Sequence, residues 1–120
     1  MPSSDFGLGV GPGGGAGYTF APIRGFTTAS GAASTTLTGS DRTVLVTATA
    51  AAGSVVLPSA SKSKGRIYTV KKVDASANAV TITDVSGANV ESGASLALSA
   101  QYATANLQSD GTQWWEIGKV

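Results

Sequence analysis

The chain has 120 residues, the size of one domain, and eight basic and seven acidic side chains give it a net charge of +1. It contains no His and no Cys. This excludes disulfides, Ser-His-Asp triads, Cys nucleophiles and the usual zinc sites within one chain. Gly, Ala, Ser and Thr make up 64 residues, whereas Leu, Ile, Val and Phe make up only 25. We therefore expect a thin core, and the small net charge favours a folded chain over a disordered one.

The first part of the sequence, residues 1–34, holds nine of the 16 glycines and three of the four prolines. Glycine costs backbone entropy and Pro12 lacks an N–H donor, so the stretch 11–17 disfavours a helix or a central strand. We interpret residues 1–34 as an extended arm. Its apolar side chains predict docking onto another protein, with a disordered tail as the alternative. These anchors are Phe6, Leu8, Val10, Tyr18, Phe20, Ile23 and Phe26.

Residues 35–120 have the period-two alternation of half-buried strands, interrupted by glycines every 8 to 12 residues or so. In Thr43–Thr49, for example, Val44 and Val46 alternate with threonines, and Leu45 falls on the threonine side. The pattern predicts an all-β domain, an antiparallel sandwich or barrel of seven or eight short strands. The other predicted strands are Ser54–Leu57, Ile67–Val73, Ala79–Thr83, Leu96–Ser99, Tyr102–Gln108 and Gln113–Gly118.

The last two strands form a predicted hairpin around Ser109-Asp110-Gly111. A two-residue turn would bury Glu116 on the face that holds Leu107 and Trp114, which is costly for a lone carboxylate. A three-residue loop with a left-handed Gly111 avoids this cost and is the register we favour. One face then carries Ala103, Ala105, Leu107, Trp115 and Ile117, and the other carries Thr104, Asn106, Trp114 and Glu116. Trp114 is thereby predicted on the polar face.

Five cations lie within eleven residues, at Lys62, Lys64, Arg66, Lys71 and Lys72. Clustered cations attract phosphate backbones. A net charge of only +1 instead favours a solvated surface or pairing across subunits, so we expect no nucleic-acid partner. The acidic residues sit at predicted strand ends, where short side chains bond their own backbone. Without a nucleophile, base or metal constellation we expect no enzymatic activity and no cofactor.

Several motifs together resemble a β-domain of tailed-bacteriophage virion proteins. They are Thr43-Val-Leu-Val-Thr, Val55-Val-Leu-Pro, Gly65-Arg-Ile-Tyr-Thr-Val-Lys-Lys, Ser76-Ala-Asn-Ala-Val-Thr-Ile and Leu107-Gln-Ser-Asp-Gly-Thr-Gln-Trp. The match covers residues 43 to 118, leaves the Gly-rich arm outside, and is typical of head-decoration, tail-fibre and tail-spike proteins. The resemblance implies a structural protein that assembles as a homotrimer.

Apolar residues on both faces of several strands favour association independently, because a sheet buried on both sides needs a partner. We expect the subunit interface at Tyr68, Val70 and Trp114. A closed sandwich with both layers internal is the alternative.

The role that fits a short chain with an apolar arm and no upstream repeat is a capsid decoration, or cement, protein. Its partner is then the major capsid protein, and its location is the outer surface of the virion capsid, after synthesis in the host cytoplasm. A short tail-fibre or tail-tip adhesin that binds a host glycan is the first alternative, and a free carbohydrate-binding module is the second. The N-terminus lacks the features of a signal peptide and no apolar run reaches 18 residues, so we expect no membrane partner.

Overall fold

A computed structural model describes residues 22–31, 33–87, 90–91 and 95–119. Within these ranges the chain is all-β, with one short 3-10 turn at Ala60–Lys62. The strands are β1 (Ile23–Thr27), β2 (Ala33–Thr36), β3 (Thr43–Thr47), β4 (Gly53–Leu57), β5 (Ile67–Lys72), β6 (Val80–Asp84), β7 (Leu96–Leu98), β8 (Thr104–Ser109) and β9 (Trp114–Lys119).

The first six strands alternate between two sheets. One sheet has five strands in the order β1-β3-β5-β8-β9, and the other has four in the order β2-β4-β6-β7. The chain therefore returns to each sheet only after it has crossed to the opposite one, and the pairs formed among these six strands are all parallel. The result is a stack of three coils, each made of one strand from each sheet: β1 and β2, β3 and β4, and β5 and β6. The strands β7, β8 and β9 add to this stack in antiparallel orientation.

The first two coils are in register at a constant offset. Ile23 pairs with Thr43 and Ala33 pairs with Gly53, so equivalent residues lie 20 positions apart in both sheets. The second coil, which leads from β3 through β4 to β5, is longer, because Thr43 pairs with Thr69. The additional residues include the 3-10 turn between β4 and β5.

The core lies between the inner faces of the two sheets and consists mostly of valine, leucine and isoleucine side chains. Its largest members are Trp114 and Tyr68, whose ring centroids lie 5.5 Å apart. Both polar tips are satisfied: the Tyr68 hydroxyl donates to the carbonyl of Thr38 at 2.8 Å, and Trp114 Nε1 donates to the carbonyl of Pro58 at 2.9 Å. Two aromatic residues thus bury most of their surface without an unpaired donor.

All seven predicted strands are present, with ends within two residues of those predicted. The predicted inner positions of β3 are also confirmed, because Val44 and Val46 are fully buried. The prediction of an antiparallel domain is wrong, since both sheets are mixed and neither closes into a barrel among the described residues. The count of seven or eight is wrong as well. Two further strands are present: β1 lies within residues 1–34, and β2 crosses residue 34.

The register predicted for the last hairpin is wrong, although Gly111 does adopt the predicted left-handed conformation, with a φ of 95°. The loop has four residues, 110–113, and is closed by the Asp110 N–H donating to the carbonyl of Gln113. Ser109 consequently pairs directly with Trp114, and both side chains are buried. Because side chains alternate along a strand, this pairing sends Trp115 outward. A bulge between Asn106 and Leu107 then shifts the remaining pairs.

A polar cluster covers the inner side of the first coil. Arg24 Nε on β1 donates to Asp41 Oδ1 at 2.7 Å, and a terminal nitrogen of Arg24 donates to Thr35 Oγ1 on β2 at 2.9 Å. The Arg24 side chain thereby links the two sheets at the start of the stack. The hydrogen bond from Arg24 holds the pKa of the Asp41 carboxyl below its usual value. In the described part of the chain no further coil lies beyond β1 and β2, and a polar face is what a coil at the end of a stack needs.

A second polar cluster lies where β5 ends. Lys72 is completely buried, and its Nζ donates to Asp74 Oδ2 at 2.9 Å and to the carbonyl of Ser76 at 2.8 Å. Asp74 Oδ1 in turn accepts the N–H of Ala48 at 2.7 Å. The ion pair therefore fastens the loop after β5 to the end of β3. Burial by itself raises the pKa of the Asp74 carboxyl, but the hydrogen bonds from Ser76, Ala48 and Lys72 outweigh burial and hold it well below its usual range.

The first prediction concerns Asp74 and acid stability. A lowered folded-state pKa contributes stability that is fully present above the unfolded pKa of about 4 and is lost as the pH falls towards the folded value. Asp74→Asn should lower the free energy of unfolding by about 3 kcal/mol at pH 7, because it leaves Lys72 buried without its counter-charge. It should also make the loss of stability between pH 5 and pH 3 shallower. Urea titrations across this range measure both effects, and an unchanged slope would contradict the role of Asp74.

The second prediction concerns a close approach between two coils. A Cβ at Gly53 would lie 2.5 Å from Cγ2 of Thr28, so Gly53→Ala should cost about 1–3 kcal/mol through overpacking. The matched control is Gly39→Ala, where a Cβ meets nothing within 4 Å and stability should hardly change. Adding Thr28→Ser to Gly53→Ala removes the clashing methyl group and should recover most of the loss. Thermal melts of the four proteins test this, and a double variant no more stable than Gly53→Ala would refute it.

Candidate functional site

The three residues predicted for a subunit interface lie inside the chain's own core. Tyr68, Val70 and Trp114 are each completely buried. The predicted interface is therefore corrected: these side chains stabilise the subunit itself and are not accessible to a partner. The physical reason is the four-residue hairpin loop, which turns Trp114 inward onto Tyr68.

The predicted anchors of the arm divide into two groups. Ile23 and Phe26 both belong to β1, where Ile23 is 65% exposed and Phe26 packs against the core. The other five, Phe6, Leu8, Val10, Tyr18 and Phe20, lie outside the described residues.

The five clustered cations do not form one surface. Lys72 is buried in its ion pair with Asp74, and Arg66 lies over the ring of Tyr68, 5.4 Å from its centroid, while donating to the carbonyl of Gly39. Lys71 lies over the exposed ring of Tyr102 at 5.5 Å. Of this sequence run, Lys62 and Lys64 are the exposed side chains. The cluster in the sequence is thus dispersed over the fold, with several of its charges used inside the subunit.

The outer face of the five-stranded sheet carries a cleft beside the last hairpin, with a volume of about 270 Å³. We call it the Trp115 cleft. Trp115 is 39% exposed and Ile117 is 53% exposed, so apolar surface that the fold does not need lies open to solvent there. The cleft is lined by Gln108, Ser109, Asp110, Trp115 and Ile117.

The indole of Trp115 is held in one orientation. Its Nε1 donates to Asp110 Oδ2 at 2.8 Å. Asp110 is itself fixed, because Oδ1 accepts the backbone N–H groups of Thr112 at 2.8 Å and Gln113 at 2.9 Å. The hydrogen bond from Trp115, followed by those two backbone bonds, lowers the pKa of the Asp110 carboxyl to about 2. The cleft therefore combines a fixed aromatic face with a carboxylate that is ionised at neutral pH.

A second depression lies on the outer side of the four-stranded sheet, lined by residues such as Ala33, Ser34, Gly53 and Ser54. None of its lining residues is titratable, so it offers no group for acid–base chemistry. The described residues also contain no group of three or more acidic side chains placed to hold a metal ion. The arrangement as a whole suits binding at the Trp115 cleft.

A scan of the chain against protein-family models and a search of curated proteins both found no match. Among the residues that the structure covers, no helix is long and apolar enough to cross a membrane.

The sequence predicted Trp114 on the polar face of the last hairpin, whereas the structure buries Trp114 and exposes Trp115. The signal that locates a site here is the Trp114-Trp115 pair itself, because consecutive residues of a strand point to opposite faces. One of the two rings must then face outward. Which one it is depends on the length of the hairpin loop, and alternation alone does not fix that length.

The third prediction tests the contact that orients the indole. Trp115→Phe keeps an aromatic ring but removes the Nε1 donor, so the pKa of the Asp110 carboxyl should rise from about 2 towards its usual value near 4. NMR titration of the Asp110 side-chain carboxyl carbon measures the change. The Asp74 carboxyl, which does not contact Trp115, serves as the internal control. A titration of Asp110 identical in both proteins would show that the indole is not its main partner.

Proposed function

We propose that the chain is a structural protein of a bacteriophage virion, a decoration protein that binds the assembled head as a trimer and stabilises it. The proposal rests first on the resemblance of residues 43–118 to virion β-domains. The major capsid protein is the proposed partner, and the outer surface of the capsid is the proposed location.

The observation that best supports this role is the way the chain enters the domain. Pro22 precedes β1, and its carbonyl accepts the N–H of Thr43 at 3.1 Å, at the edge of the five-stranded sheet. β1 is an edge strand in the described part of the chain, so its outer backbone groups are available for pairing. The anchor-bearing sequence 1–21 thus joins a rigid domain at an open sheet edge. A rigid domain with a chain segment at its edge suits attachment to a preassembled surface.

Binding of this kind stabilises a shell by mass action. A protein that binds only the assembled state stabilises it by RT ln(1 + [L]/Kd) per site, about 2.7 kcal/mol at a hundredfold excess over Kd. Many sites on one shell multiply the effect, so the decoration role requires no catalytic group.

The trimer needs a different surface from the one predicted, since Tyr68 and Trp114 are buried. Candidates include two half-buried apolar residues on the outer faces of the two sheets, Leu45 and Val56. We expect light scattering at micromolar concentration to report three copies of the 11.8 kDa chain. A monomer that unfolds cooperatively would contradict the trimer while leaving shell binding to be measured separately.

The decoration role predicts the phenotype of virions that lack the protein. They should assemble and infect, but should release DNA at a lower temperature than complete virions, because the binding energy of the missing copies no longer opposes internal pressure. Adding the purified protein back should restore heat resistance. Adsorption to host cells should remain unchanged. Normal heat resistance combined with lost adsorption would contradict the decoration role and support the tail-adhesin alternative.

A further inference from the structure

We propose that the Trp115 cleft is a binding site for a neutral pyranose sugar, stacked on the outer face of the Trp115 indole. This activity goes beyond capsid decoration and does not depend on it. The cleft presents an apolar wall and a set of hydrogen-bond acceptors side by side, and a sugar ring has the complementary arrangement of one C–H-rich face and a hydroxyl rim.

The apolar wall is formed by Trp115 and Ile117, which share the outer face of β9. A flat indole offers large contact area for little loss of conformational freedom, and its polar handle is already bonded to Asp110. A ligand therefore meets a ring whose orientation is set in advance. Preorganisation of this kind lowers the entropy cost of binding.

The acceptors come from two side chains next to the indole. Gln108 pairs with Trp115 across the hairpin, and its Nε2 donates to the carbonyl of Gly65 at 3.1 Å. That bond holds the amide and leaves the Gln108 side-chain oxygen as an acceptor. Asp110 Oδ2 accepts the indole N–H and has a further lone pair. Two acceptors beside one aromatic face match a ligand that brings hydroxyl donors to the edge of an apolar ring.

Charge selects neutral sugars over acidic ones. Asp110 is ionised at neutral pH and lines the cleft, so a uronic or sialic acid carboxylate would meet a like charge there. The stem of Lys64 lies beside Gly111 in the same loop, but Lys64 does not line the cleft. A protein partner fits less well, because stable protein interfaces bury about 800 Å² per partner, far more than a cleft formed by five residues provides.

The test uses isothermal titration of the full chain with methyl pyranosides of glucose, galactose, mannose and N-acetylglucosamine. The methyl glycoside of glucuronic acid serves as the charged probe. We expect at least one neutral glycoside to bind and the glucuronide to bind more weakly. Trp115→Ala should weaken binding about tenfold or more, the effect of losing 1.4 kcal/mol of stacking. Tyr102→Ala is the matched control. Among the described residues Tyr102 is the other exposed aromatic beside the five-stranded sheet, and its substitution should leave glycoside binding unchanged.

Thermal melts of each variant establish that it is folded. If Trp115→Ala unfolds, Trp115→Phe replaces it in the titration, and its phenyl ring should retain part of the affinity for the glycoside. Binding of none of the neutral glycosides, equal binding by Trp115→Ala, or preference for the glucuronide would each overturn the sugar site. Capture of a peptide at Trp115 without any glycoside binding would overturn it too. Shell binding and virion heat resistance should be the same for Trp115→Ala and wild type, so failure of the sugar site leaves the decoration role unaffected.

Discussion

The fold depends on one constraint: from β1 to β6, each strand crosses to the opposite sheet before the chain returns. Neighbours within a sheet therefore come from successive coils and run parallel, and inward-facing residues stack in columns such as Arg24, Val44 and Val70. The space inside one coil is only two side chains deep, which suits valines and small residues better than large ones. A composition that looks too lean for a globular core is in this way sufficient for a narrow one.

Among the described residues, stacking in coils leaves a core end on each side of the stack, and polar or aromatic side chains lie at both. At the first coil, Arg24 joins Asp41 and Thr35 across the gap between the sheets. At the other side of the stack, the β8–β9 hairpin places Trp114 against Tyr68. Both devices connect segments that are distant in the sequence, which explains why neither is apparent from local patterns. The buried pair of Lys72 and Asp74 has a similar role between these ends, since it fixes the loop that carries the chain from one sheet to the other.

Period-two alternation was sufficient to locate seven strands and the buried positions of β3, because it reports which side of a strand is apolar. It does not report which strand pairs with which, so the prediction of an antiparallel domain missed that short connections such as 48–52 cross between the sheets. β1 and β2 escaped detection because Gly25 and a run of Ser and Thr hide their alternation. The hairpin register failed for a different reason: a loop one residue longer than expected exchanges the faces of every residue after it.

The exchange of faces along β9 also determines which indole is exposed on the surface. An indole buried at Trp114 strengthens the core, whereas the partly exposed indole of Trp115 leaves apolar area in water. A flexible exposed side chain would have to be ordered by any ligand that stacked on it. Here the ordering is completed during folding, by backbone N–H groups that fix Asp110 and by Asp110 that fixes the ring. The hairpin loop thus directs Trp114 into the core, and its Asp110 orients the neighbouring Trp115 on the surface.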